Sequence, residues 1–257
     1  MLTSRQNPKV QLVRQLLSRY NDPARFVAEG VRLVEEAVRA GWQAELVMYS
    51  DTLSSRGRAL LEQLAGCGLP LEQLSPDLME WVSDTAAPQG ILAVFKRRSL
   101  PLPEALDFIL VVDSLRDPGN MGTLLRTAAA VGTQAVLLAP NTCDAFSPKV
   151  LRAGMGAHFR LCLLEADWDT IEIMLKRRDL PLTVYLAEAS EGVTCWQADL
   201  RRPLALLVGG EAEGASPAAR RLADAAITIP MPGGSESLNA SIAASILLYE
   251  ILRQRSL

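Results

Sequence analysis

Three short stretches hold residues whose types and spacing suit chemistry. The first is Asp117-Pro118-Gly119-Asn120-Met121-Gly122-Thr123-Leu124-Leu125-Arg126, which follows an apolar run. Pro-Gly makes a turn, and Asn120 is placed to cap the helix that starts there. Gly122 and Arg126 are four apart and share a helix face. Gly122 leaves room beside it, and Arg126 presents a planar fork of donors suited to a phosphate or a carboxylate. The second is Val208-Gly209-Gly210-Glu211-Ala212-Glu213-Gly214, at the carboxyl end of another apolar run. Ligands in α/β folds bind beyond such strand ends, and the glycines let backbone approach a ligand. It is not G-x-G-x-x-G, so a dinucleotide turn is not indicated. The third is Ile229-Pro230-Met231-Pro232-Gly233-Gly234-Ser235-Glu236-Ser237-Leu238-Asn239-Ala240-Ser241. A strand ends, a Gly/Ser loop follows, and Ser237, Asn239 and Ser241 open an otherwise apolar helix. Helix capping accounts for one of the three polar groups but not for all. Each stretch taken singly also fits a plain structural role, as a capped helix or a loop.

Composition narrows the chemistry. Of 257 residues 49% are hydrophobic, enough for one large domain or two modest ones. No run of eighteen apolar residues spans a membrane, and residues 1–7 lack the apolar core of a signal peptide, so the expected compartment is the cytoplasm. Cys67, Cys143, Cys162 and Cys195 show no C-x-x-C spacing, and His158 is the one histidine. Neither a zinc site nor a disulfide framework is expected, and no metal is assigned. The net charge is −3, which argues mildly against nucleic acid. Residues 1–40 nevertheless hold seven basic residues against four acidic ones. A solvated helix face explains these as readily as an RNA surface does.

The elements that must position the three stretches follow from periodicity. Helices are expected over residues 8–20, Val31–Ala40 and Ser54–Ala65, with strands at Phe26–Ala28, Ala44–Tyr49 and Gly90–Phe95. Lys96-Arg97-Arg98-Ser99-Leu100-Pro101-Leu102-Pro103 reads as a linker. The expected organisation is a small α/β domain over residues 1–97, a linker over 98–106, and a second domain over 107–257. In the second domain Phe108–Asp113, Gln134–Ala139, Leu182–Ala187, Leu204–Gly209 and Ala225–Pro230 are near-continuous apolar runs. Such runs suit a parallel sheet covered on both faces. Helices are expected over Gly122–Val131 and Asp167–Arg178, and over Ala240–Gln254, where the last is apolar nearly all round. That helix suits burial on the sheet, a subunit interface, or both.

Together, in this order, the three stretches resemble the SpoU (TrmH-like) family of RNA ribose 2′-O-methyltransferases of the SPOUT class, whose patterns are N-x-G-x-x-x-R, G-x-E-x-x-G and I-P-M followed by S-L-N. The resemblance covers residues 107–257. Phe26-Val27-Ala28-Glu29-Gly30 and Pro88-Gln89-Gly90-Ile91-Leu92-Ala93 resemble the family's N-terminal substrate-binding domain, a small α/β unit similar to a ribosomal protein. The resemblance implies a parallel sheet with a deep trefoil knot, and a homodimer formed through the C-terminal domain. It implies S-adenosylmethionine as cofactor, contacted by Gly209, Ile229, Met231 and Leu238. It implies Asn120, Arg126, Glu211, Ser237 and Asn239 as the polar active-site set. Lys149 and Arg152 stand where they would touch RNA phosphates, although a solvated loop explains them equally well.

The implied reaction moves a methyl group to a ribose 2′-hydroxyl, with ribosomal RNA favoured over transfer RNA. A guanidinium is a poor general base, so Arg126 is expected to hold a phosphate and stabilise the developing alkoxide. Glu211 is expected to orient Arg126 or Asn120. A sulfonium needs no metal to react, so full activity is expected in the presence of a chelator. Two alternatives are a non-catalytic RNA-binding or ribosome-assembly factor on the same fold, and an unrelated nucleotide-dependent α/β enzyme.

Overall fold

The computed structural model describes residues 1–18, 22–177, 181–211 and 213–256. The ends of the helices expected over residues 8–20 and Asp167–Arg178 lie outside the described residues. Two compact units form. One comprises Met1–Arg98 with Asp144–Phe159, the other Ser99–Cys143 with Arg160–Leu257.

In the first unit a four-stranded sheet runs β1 (Arg25–Glu29), β4 (Ile91–Lys96), β2 (Ala44–Tyr49), β3 (Leu71–Gln73). β4 pairs antiparallel to both neighbours, and β2 and β3 are parallel. Helices α1 (Pro8–Ser18), α2 (Val31–Arg39), α3 (Ser55–Gly66) and α4 (Pro76–Val82) cover it. The faces of the sheet bury separate cores. Val10, Val13 and Leu17 of α1 pack with Val27, Met48 and Val94. Val34 and Ala37 of α2 pack with Phe26, Ala28, Ala93 and Phe95. This alternation along β1 and β4 is the period-2 pattern of a strand buried on both sides.

Helix α6 (Pro148–Gly154) belongs to this unit. Leu151 and Phe159 join the α2-side core, and Phe26 stacks on Phe146, Phe159 and Phe95 at centroid separations of 5.1, 6.1 and 5.5 Å. Arg97 clamps Asp144 with a bidentate pair of 3.0 and 2.6 Å and lies over the Phe146 ring. Aromatic packing plus a half-buried Arg–carboxylate fork is what holds residues 144–159 here.

His158 is buried in this unit, and neither ring nitrogen makes a hydrogen bond. Burial pushes its pKa down from 6.5 to about 4, against a weaker opposing pull from the Ala145 backbone. The folded state therefore holds it neutral while the unfolded chain protonates it below pH 6.5. Stability is full above that pH and is lost as the pH falls toward 4, by about 3 kcal/mol at most. Urea unfolding of the wild type and His158→Phe at pH 7.5 and 4.5 checks this. The variant is expected to lose distinctly less stability on acidification.

The second unit is a seven-stranded parallel sheet. Its order is β7 (Cys162–Glu165), β6 (Ala135–Leu138), β5 (Phe108–Val112), β10 (Leu204–Val208), β8 (Thr183–Glu188), β11 (Ala225–Thr228), β9 (Val193–Thr194). Every residue of β5, β6 and β10 is buried, as their unbroken apolar runs predict for a sheet covered on both faces. The covering helices include α5 (Pro118–Ala130), α7 (Trp168–Lys176), α8 (Pro217–Leu222) and α9 (Ala240–Arg255). No helix among the described residues is long and apolar enough to cross a membrane. No group of three or more His, Cys, Asp or Glu side chains among them is placed to hold a metal.

Helix α5 starts earlier than expected. Asp117 is its N-cap and accepts from the Asn120 amide at 2.8 Å, with Pro118 in the first turn. Asn120 therefore sits inside the helix and does not cap it. An aspartate just before a proline is the stronger start signal, because the proline gives up no needed N–H and its φ is already helical. Gly122 is buried on α5. α9 is capped by Asn239, whose Oδ1 accepts from the amides of Ser241 and Ile242 at 3.0 and 3.2 Å.

Candidate active site

A cavity of about 390 Å³ lies beyond the carboxyl ends of the adjacent strands β10, β8 and β11. Gly209, Ile229, Met231 and Leu238, the four residues expected to contact cofactor, all line it. Glu211, Ser237 and Asn239 line it too, and Ala243 and Leu247 of α9 close one wall. The parallel sheet makes this placement, since every strand delivers its following loop to one edge.

The glycines Gly209, Gly210 and Gly214 line the cavity and also shape the loop itself. A Cβ on Gly209 would lie 2.5 Å from the Ala215 amide nitrogen, and one on Gly210 would lie 2.5 Å from the Ser114 carbonyl oxygen. Both glycines let backbone approach backbone. They fold the 209–214 loop against its neighbours, and Gly210 bridges Gly214 to close it.

Four polar side chains form a directed relay at the cavity's edge. Glu211 Oε1 accepts from Asn120 Nδ2 at 2.8 Å. Asn120 Oδ1 accepts from Asn239 Nδ2 at 3.0 Å and lies 3.2 Å from Ser241 Oγ, whose single proton it shares with Asn239. Asn239 Oδ1 in turn takes the first amides of α9 and the Ser241 hydroxyl, the last at 2.8 Å. Each orientation follows from the ends. A carboxylate only accepts, so Asn120 must turn its NH₂ toward Glu211. The start of a helix only donates, so Asn239 must turn its oxygen toward α9. The relay thus couples a negative charge at one end to the positive end of a helix at the other.

Burial alone would push the Glu211 carboxyl up. The hydrogen bonds from Asn120 and from the amides of Glu211, Arg116 and Asp117 outweigh it and hold the carboxyl below its ordinary range. Glu211 is therefore ionised at neutral pH. It orients Asn120, one of the two partners expected for it.

Arg126 is not brought to this cavity within the chain. It is exposed on α5, six residues from Asn120, which places it about 120° around the helix. Thr127, seven residues from Asn120, faces α9 and meets Ser245 Oγ at 3.0 Å. Ser237 is exposed at the rim. Lys149 and Arg152 stand on α6, in the other unit. Lys149 is exposed, whereas Arg152 is engaged with Asp84 at 2.8 Å.

Two residues of the site escaped sequence reasoning as site residues. Ser241 is buried, and its hydroxyl sits within reach of both asparagine oxygens, 3.2 Å from Asn120 Oδ1 and 2.8 Å from Asn239 Oδ1. Its signal was a polar residue on the buried face of an apolar helix. Asp113, buried at the end of β5, accepts from the Ser216 amide at 2.6 Å and from Ser114 Oγ at 3.0 Å. It pins the start of α8 beside the 209–214 loop. A carboxylate directly after five apolar residues was its signal.

This arrangement has relatives. Residues 107–249 match the SpoU rRNA Methylase family, and residues 7–93 match the MRM3-like substrate binding domain. The chain belongs to the SpoU rRNA methylase family. It is 33% identical to the 23S rRNA (guanosine(2553)-2′-O)-methyltransferase RlmP of Bacillus subtilis, over 88% of each chain. It is 31% identical to the human mitochondrial rRNA methyltransferase 3, covering 90% of this chain and 68% of that one. The SpoU methyltransferase AviRb of Streptomyces viridochromogenes, solved with AdoMet, superposes with a TM-score of 0.85 at 29% identity, over 98% of this chain and 99% of that one. The SpoU match begins just before β5 and takes in the whole relay as well as the cavity.

Proposed function

We propose that this SpoU chain transfers a methyl group from S-adenosylmethionine to a ribose 2′-hydroxyl of ribosomal RNA. The observation that carries the reading is the convergence of Gly209, Ile229, Met231 and Leu238 on one cavity whose edge holds the Asn120–Glu211–Asn239–Ser241 relay. The cavity's size falls within the range of about 300–1,000 Å³ usual for small-molecule sites. Its lining fits the cofactor: apolar Ile229, Met231, Leu238 and Leu247 suit an adenine face, and the Glu211 carboxylate suits a cation, whereas Glu188 is already paired with Arg220. When bound, the cofactor supplies a methyl group already activated by a sulfonium.

The chain's own residues then have these tasks. Ile229, Met231 and Leu238 exclude water. Glu211, held ionised, fixes Asn120, and Asn120 with Asn239 locks the start of α9 against α5. Ser237, at the rim, positions the ribose. Arg126 binds the target phosphate and stabilises the alkoxide as the 2′-proton leaves to a phosphate oxygen or water. Lys149 adds a phosphate contact.

The working unit is a homodimer. Ile242, Ile246 and Tyr249 of α9 are 52, 41 and 55% exposed and stand one helical turn apart, an apolar stripe that a second copy covers. Arg126, which does not line its own cavity, then serves the partner's. The strand order also supports a knot: β10 lies between β5 and β8, while β11 returns to the far side of β8.

Incubating the protein with tritiated S-adenosylmethionine and ribosomal RNA from a strain lacking it tests the reading. Label is expected in the RNA with or without a chelator. Cofactor binding without transfer to any RNA or ribosomal particle would favour the assembly-factor alternative. Gly209→Ala should weaken the cofactor at least about tenfold in calorimetry, because its Cβ meets fixed backbone and the loop has to move. Unchanged affinity would remove the 209–214 loop from the cofactor site.

A further inference from the structure

The first unit contains a cavity of about 280 Å³ that none of the chemistry above uses. It opens where β1 gives way to α2. Gly30 makes the turn at φ 101°, and Gln89 Oε1 accepts from the Val31 amide at 2.9 Å, 3.2 Å from where a Cβ on Gly30 would lie. Leu33, Ala87 and Met155 give it apolar walls. Glu29 and Arg152 stand side by side in it, with Glu29 Oε2 3.9 Å from Arg152 Nη1. Glu29 is buried and held in place by the Asp84 amide at 3.1 Å and the Thr85 hydroxyl at 2.5 Å. Arg152 is held through Nη2 by Asp84, while its Nη1 is buried without a hydrogen-bond partner. The two groups form an ion pair, but at 3.9 Å Nη1 makes no hydrogen bond, and a buried donor left so is costly unless something completes it.

A second hollow of about 470 Å³ shares Arg32 and Gln89 with the first and adds Arg56, Thr52 and Ser54. Arg56 is paired with Glu35, whereas the exposed Arg32 has no ion pair among the described residues. An apolar slot with one donor and one acceptor therefore adjoins a polar hollow with an unengaged guanidinium.

We infer that this groove binds one unstacked nucleotide of an RNA strand, with a keto base (uracil or guanine) in the apolar slot and its phosphate on Arg32. Keto bases present a carbonyl acceptor beside a ring N–H donor. Those groups match Arg152 Nη1, which only donates, and Glu29, which only accepts. Cytosine and adenine present an amino donor beside a ring-nitrogen acceptor and leave the pair mismatched. Sequence-specific RNA recognition generally takes splayed-out bases of this kind, because an A-form helix hides their edges. The inference rests on the reading of the chain as an RNA enzyme and adds how its first unit chooses RNA.

The test is fluorescence anisotropy of the full chain with labelled oligouridylate and oligocytidylate of about twelve nucleotides. These probes match in charge and differ at the edge that matters. The wild type is expected to bind oligouridylate at least about fivefold tighter. Ala87→Trp fills the slot and should abolish that preference without changing the salt dependence; Ala87→Leu does so with less bulk. Arg32→Ala should weaken both probes alike and reduce the slope of log affinity against log salt by about one. Wild-type-like far-UV circular dichroism and an unchanged urea-unfolding profile certify that the first unit of each variant is folded. Equal binding of both probes by the wild type, or a preference surviving both fillings, overturns the inference. Either result leaves methyl transfer to ribosomal RNA intact if that is observed. A slot that discriminates in a chain that transfers no methyl group would instead sink the enzyme reading alone.

Discussion

Arg126→Lys is expected to lower the methyl-transfer rate at least about a hundredfold while S-adenosylmethionine binds as before. Lysine keeps the charge but replaces a planar fork of five donors by a single point. In this account the fork grips the phosphate and the developing alkoxide together, so the loss appears in turnover rather than in cofactor affinity. The geometry adds a sharper expectation. Arg126 is exposed, lies about 120° around α5 from Asn120, and is not among the residues that line its own cavity. If it completes the partner's site, mixing Arg126→Ala with Asn120→Asp protein regenerates one intact site in each mixed dimer. Activity should return to roughly a quarter of the wild type after random exchange. If Arg126 served its own chain, every site in the mixture would carry a lesion and none would recover.

Asn120→Asp is the second large effect. The substitution is nearly isosteric, yet it places a carboxylate 2.8 Å from Glu211 Oε1, where an NH₂ now donates. Two carboxylates so close cannot both stay ionised without severe repulsion. At pH 8 the pair is expected to push the 209–214 loop away from α5, with a loss of at least about a hundredfold in turnover. As the pH falls the pair takes up one proton, which restores a donor between the two groups, so the variant recovers relative to the wild type. The sign follows from the wild type itself, where the hydrogen bonds that hold Glu211 below its ordinary range include the one from Asn120. A pH–rate profile of the variant parallel to the wild type's would show that the relay does not govern the site.

Much of the second unit was legible because its signals are local. Phe108–Asp113 and Leu204–Gly209 read as doubly covered strands, and the strands that form, Phe108–Val112 and Leu204–Val208, are wholly buried. The four expected cofactor contacts converge because a parallel sheet carries successive loops to one edge. What failed to show depends on competition or on distance. Asn120 was read as a cap, but Asp117 before Pro118 takes that role and frees the Asn120 side chain for the relay. The glycines of the 209–214 loop were read as letting backbone approach a ligand; they line the cavity, and the further room that Gly209 and Gly210 make for Ala215 and Ser114 has no local signal. The short strands β3, β7 and β9 exist through pairing with their neighbours, which no local pattern announces. The segment 144–159 joins the first unit through Phe146, Leu151, Phe159 and the Arg97–Asp144 fork, contacts between residues 47 or more apart in the chain.

The central claim concerns which atom receives the methyl group, and alkaline hydrolysis of the labelled RNA reads that atom directly. Alkali cuts RNA through attack by the ribose 2′-oxygen on the adjacent phosphate. A methyl group on that oxygen blocks the cut and leaves a labelled, alkali-stable dinucleotide. The account predicts that the label from S-adenosylmethionine runs as such a dinucleotide. Label recovered wholly in mononucleotides would place the methyl group on a base and contradict it.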